Sequence, residues 1–176
     1  LHRFSKVRDE IKRLAGKHLQ LSPAAVLITK VERQNFSDSC LGLGTLVESC
    51  AQQIVPGYRV TVIGKSRERQ IYRISEDGKF SRTEAIAGLP IRTDELPTAI
   101  ARKVFTTAQG DLKQSIANLS ITQVEPTLVC FRNPAAAPTD ACQPMQRING
   151  WKVTVTDYEQ SRTYTIDLNG TILSKS

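Results

Sequence analysis

Four cysteines, two histidines and one glycine-rich run are where this chain could do chemistry. A Cys-His nucleophile would have to join Cys40, which follows Asp38 by two residues, to His18, since His2 is the only other imidazole. Acid–base catalysis needs a base held within hydrogen-bond reach of its nucleophile. Cys40 is better placed in a disulfide, and His18 reads as a polar residue near a helix end, so no enzyme activity is expected. Gly42-Leu43-Gly44 is a lone GxG with neither a Lys-Ser/Thr after it nor a helix opening at its last glycine, and it does not read as a phosphate cradle. No CxxC occurs, so a zinc site is not expected, and neither is any other metal or cofactor.

The cysteines instead read as staples. Cys40 and Cys50 are ten residues apart, and Cys130 and Cys142 twelve. Four cysteines allow three connectivities. Pairing within each couple is preferred because the couples occupy equivalent places in a repeat. Ile28-Thr29-Lys30-Val31-Glu32 returns as Ile121-Thr122-Gln123-Val124-Glu125, and Gly57-Tyr58, Val60-Thr61-Val62, Tyr72 and Gly78 return as Gly150-Trp151, Val153-Thr154-Val155, Tyr164 and Gly170. Disulfides persist in oxidising compartments, so an extracytoplasmic location is expected: a periplasm, a lumen or the outside of the cell. No run of about 18 apolar residues is present. The start at Leu1 without an export segment is read as that of a mature chain.

The elements that position these residues follow from periodicity. Phe4, Val7, Ile11, Leu14, Ala15 and Leu19 form one helical stripe, and Ile100, Val104, Ala108 and Leu112 form its counterpart after Pro97. A strand follows each helix. Beyond each cysteine loop an alternating strand, a second strand and an Asp77-Gly78 or Asn169-Gly170 hairpin complete a meander. The expected fold is α+β: two tandem repeats, each one helix packed on its own antiparallel sheet of about four strands with one disulfide. The expected boundaries are 1–84 for the first repeat, 85–96 for the linker and 97–176 for the second repeat. Tyr58, Trp151, Tyr72 and Tyr164 are expected to pack under the helices.

The run Ser37-Asp38-Ser39-Cys40-Leu41-Gly42-Leu43, with Cys50-Ala51, Pro56-Gly57-Tyr58-Arg59-Val60, Ile71-Tyr72-Arg73-Ile74 and Asp77-Gly78, resembles a small exported domain of cyanobacteria and some actinobacteria over about residues 5–83. The resemblance implies an extracytoplasmic location and no particular activity. In shape, the helix-and-meander unit is similar to PepSY-like and cystatin-like domains, and two stapled copies are similar to the β-lactamase inhibitory protein. These likenesses imply restraint of a secreted hydrolase, by analogy of fold alone. The second copy departs from the loop pattern, with Phe131-Arg132-Asn133-Pro134-Ala135 in place of Leu41-Gly42-Leu43.

The net charge of +7 is uneven: residues 1–88 hold 15 Lys/Arg against 9 Asp/Glu, and residues 89–176 hold 9 against 8. Lys65, Arg67, Arg69 and Arg73, joined by Arg59, would suit an acidic protein. Nucleic acid is not expected, because no stacking aromatics interleave with these charges. Leu41, Leu43, Leu46 and Val47 sit in the short Cys40–Cys50 loop, where they cannot all reach a core, and an exposed subset would mark a docking site. The resulting expectation is an extracytoplasmic protein-binding module, an inhibitor or regulator of a secreted hydrolase in its most concrete form. The alternative is a non-catalytic structural or assembly factor held peripherally at a membrane or cell envelope by the basic first repeat.

Overall fold

A computed structural model describes residues 4–65, 69–84, 95–130 and 147–176. Helix α1 (Ser5–Leu19) buries Val7, Ile11 and Ala15 and stops where Gln20 turns left-handed and its N–H reaches back to the Gly16 carbonyl. Strands β1 (Leu27–Phe36), β2 (Val55–Ile63), β3 (Arg69–Ser75) and β4 (Ser81–Glu84) follow. Helix α2 (Thr98–Leu112), with Ala101, Val104, Phe105, Ala108 and Leu112 buried, then precedes β5 (Ser120–Cys130), β6 (Arg147–Thr156), β7 (Ser161–Asp167) and β8 (Ile172–Lys175). Gly57 and Gly150 open the aromatic ends of β2 and β6 because a Cβ at either would stand 2.2 Å from a carbonyl oxygen of the neighbouring strand.

The expectation of two separate helix-on-sheet repeats is corrected by the sheet itself. All eight strands form one mixed sheet in the order β4-β3-β2-β1-β5-β6-β7-β8. Every neighbouring pair is antiparallel except β1 and β5, which run parallel through Ile28 and Ser120. The physical reason lies in β1. Its first five residues, Leu27 to Val31, are all buried, with the apolar Leu27 and Ile28 pointing to opposite faces, and a strand buried on both faces is out of place at the open edge of a half-solvated sheet. Pairing with β5 covers that edge.

Side-chain alternation then fixes where the helices lie. Val26, Ile28, Tyr58, Val60, Val62, Tyr72 and Ile74 pack with Phe4, Val7, Ile11 and Ala15 of the α1 side. Leu27 and Ile63 instead join the core under α2, with Leu119, Ile121, Trp151, Val153, Val155, Tyr164 and Ile166. Consecutive strand residues point to opposite faces, so α1 and α2 cover opposite faces of the sheet.

Contacts cross the seam in both directions. Tyr158, after β6, packs 5.8 Å from the Phe4 ring and lies under the Arg8 guanidinium at 5.4 Å. The Lys12 Nζ donates to the Ala117 carbonyl at 2.5 Å, and Arg102 of α2 donates to the Gly64 carbonyl. Most of the expected linker, residues 85–94, lies outside the described residues. Leu96 at its end belongs to the α2 core, and Glu95 pairs with Arg69.

Lys12 is buried, and that desolvation, with Arg8 adding repulsion, holds its amine down to about 8. Between pH 8 and 10 the unfolded chain, with its lysine at the ordinary 10.5, binds more proton than the folded one, so stability contributed at Lys12 rises with pH. Urea midpoints of the wild type should climb from pH 8 to 9, below the range where the tyrosines of the unfolded chain ionise, by an amount equivalent to about 1 kcal/mol, and the Lys12→Met variant should lose that slope. Equal slopes in the two proteins would show that Lys12 is not the titrating group.

Candidate protein-binding site

The segment between β1 and β2, residues 37–54, is a loop closed by the Cys40–Cys50 disulfide, whose Cα atoms are 5.5 Å apart. Gly44 is required inside it: a Cβ there would stand 2.6 Å from Cys50 Sγ. The Asp38 carboxylate accepts the N–H groups of Cys40 (2.9 Å) and Gly42 (3.0 Å), and Ser39 and Ala51 exchange two bonds across the neck. Donor atoms of Asp38, Cys40 and Cys50 lie within 4.8 Å of one another. The two sulfurs are bonded to each other and the carboxylate caps the turn, so this group is the staple itself and not a ligand set. The Cys130–Cys142 pairing lies outside the described residues.

The loop separates its four apolar residues. Leu41 adopts φ 57 and is fully buried with Phe36 and Val55 on the face opposite α1. Leu43 is half-buried. Leu46 and Val47 are exposed at 107% and 93% of their reference areas, and Ile54 near the loop's end is also exposed. Leu41 is therefore the anchor and no part of a contact surface, whereas Leu46 and Val47 form the tip. Beside the tip, Glu48 accepts the Thr45 N–H at 3.1 Å and pairs with both terminal nitrogens of Arg82. The Arg82 bond is the main cause that holds the Glu48 carboxyl down to about 2.

The basic residues are not a free cationic patch. Arg59 forks onto Glu84 at 2.9 and 3.0 Å and also reaches Glu32 at 3.2 Å. Arg73 donates Nε to Glu84 at 2.6 Å and Nη1 to the Leu41 carbonyl at 2.7 Å, and lies over the Phe36 ring at 5.6 Å. Arg69 pairs with Glu95. Lys65 is exposed, and Arg67 lies outside the described residues. Burial alone would raise the Glu84 carboxyl, but the bonds from Arg59 and Arg73 outweigh it and hold it below the ordinary range. These pairings escape a reading of sequence because Glu32 and Glu84 sit on other strands. The alternating Arg82-Thr83-Glu84 of β4 was the available signal.

The sheet also separates the residues of the conceivable Cys-His pair. His18 lies on α1, with Nδ1 2.8 Å from the Tyr72 hydroxyl, while Cys40 lies on the opposite face. The equivalent Tyr164 donates to Asp111 at 2.8 Å. A groove of about 410 Å³, lined by Pro126, Leu128, Asn149, Trp151 and Leu168 among others, lies at the far ends of β5 to β7. Sequence reasoning passed over it, although exposed Leu128 and Leu168 replace the polar Asn35 and Glu76 of the first copy.

The fold and the site together define a class: a mixed eight-stranded sheet with one helix on each face and a disulfide-stapled loop presenting an apolar tip. Within it, residues 8–83, from α1 into β4, match a family described as a domain of unknown function (DUF8738). No curated protein and no solved structure matches the chain.

The loop's anchoring can be measured. Leu41→Ala should cost about 2 kcal/mol, the low end for a buried leucine because its cluster has only three members. Joint replacement of Cys40 and Cys50 by alanine should cost about 3 kcal/mol. Urea midpoints within 0.5 kcal/mol of wild type, on the order of an ordinary surface substitution, would show that the loop is not docked as described.

Proposed function

We propose that this protein is an extracytoplasmic protein-binding module that engages its partner with Leu46 and Val47, and that the partner is a secreted hydrolase which it restrains. One observation supports this reading above others: two adjacent apolar side chains stand fully in solvent at the tip of a loop whose neck is otherwise pinned. A tip already ordered loses little conformational freedom on association, which is where stapled loops gain affinity. An uncharged tip suits an apolar cleft. The disulfide is consistent with an oxidising compartment, and no described helix is long and apolar enough to cross a membrane.

The excess charge of the first half favours a second reading, a structural factor held at an anionic envelope surface. Lys6, Lys17, Lys65 and Lys79 are exposed there. The two readings separate by salt and by substitution. Attraction through exposed lysines fades between about 0.05 and 0.3 M salt, whereas insertion of an apolar tip is largely retained. With the wild-type protein as bait in native extract, Leu46→Asp and Val47→Asp should each weaken retention of the captured hydrolase at least tenfold, with thermal midpoints unchanged. Binding that survives both substitutions but vanishes in moderate salt would sink the loop reading in favour of the envelope one.

A further inference from the structure

We infer that Glu84 on β4 is the positioning residue of the stapled loop: through Arg73 it holds the Leu41 carbonyl, and the loop leaves its seat when this carboxylate is neutralised. The inference rests on the protein-binding reading only for its functional consequence.

Leu41 is where the loop needs outside help. A non-glycine residue in left-handed conformation is strained and persists where its surroundings over-determine it. Here φ is 57, and two restraints supply that determination. The side chain is sealed between Phe36 and Val55, and the carbonyl accepts Arg73 Nη1 at 2.7 Å. Arg73 can aim that nitrogen because its guanidinium is fixed on two other sides, by Glu84 on Nε at 2.6 Å and by the Phe36 ring. Glu84 is in turn gripped by Nε and Nη2 of Arg59, whose Nη1 is held by Glu32, and Glu32 by Lys30 at 3.2 Å. Opposite charges thus alternate from β1 through β2 and β4 to β3 and end on the loop backbone.

The charged groups facing Glu84 are Arg59 of β2, Arg73 of β3 and, one step further, Glu32 and Lys30 of β1. Arg82 on its own strand is engaged with Glu48. A protonated Glu84 keeps a single acceptor oxygen fit for these donors and no net attraction for either guanidinium. Its carboxyl is held below the ordinary value, so the seat is complete at neutral pH and is lost as pH falls through that lowered value.

The experiment follows reduction of the Cys40–Cys50 disulfide by a phosphine reductant, which works in acid, with a short disulfide peptide as reference. Glu84→Gln should be reduced about tenfold faster than wild type at pH 7, the equivalent of one charge-assisted hydrogen bond lost from the closed loop. Acidification toward pH 4 should raise the wild-type rate relative to the peptide and leave the variant's ratio flat. Arg73→Met, which removes the bonds to Glu84 and to the Leu41 carbonyl together, should behave like Glu84→Gln, and it stands in if that variant fails to fold by near-ultraviolet dichroism. Wild-type rates in the folded variant, or one pH profile shared by wild type and variant, overturn the inference. If Glu84→Gln is reduced faster while Leu46→Asp leaves partner capture intact, the positioning role stands and the binding reading falls.

Discussion

The parallel pairing of β1 with β5 is the constraint on which the rest of the molecule depends. It fills the open edge of a strand whose first residues are apolar on both sides. Because the two strands run the same way while the strand order is mirrored about them, α1 and α2 must cover opposite faces, as the division of Val26, Leu27 and Ile28 between two cores requires. The reciprocal bonds of Lys12 and Arg102 to backbone carbonyls beyond the seam add direction to what burial supplies in bulk.

The same arrangement decides what is left for function. With α1 on one face, the far end of the other is open to the loop between β1 and β2, which folds onto Phe36 and Val55. Half-buried arginines under that loop require carboxylates, since an unpaired charge there would be destabilising. Arg59, Arg73 and Arg82 are therefore consumed in seating the loop, and Leu46 and Val47 are what reach solvent at its tip.

Much of this was legible in the residues. Helical stripes ending at Leu19 and Leu112 read directly, and the Gly78 and Gly170 turns, at φ 77 and 85, are the kind that Asp-Gly and Asn-Gly announce. The Cys40–Cys50 bridge followed from the equivalent places of the cysteine couples in the repeat. The seam did not, because a parallel strand pair has no turn of its own. Its traces were Leu27 and Ile63, apolar residues on a face where a free-standing sheet would be polar. Nor could composition tell Leu41 from Leu46. That distinction depends on one left-handed residue and on an arginine 32 positions further along the chain.

Residues 8–83, the stretch that matches a family model, end in β4 and lack β5. Any polypeptide comprising that stretch alone would present a bare row of amide and carbonyl groups along β1, together with the naked side chains of Leu27 and Ile63.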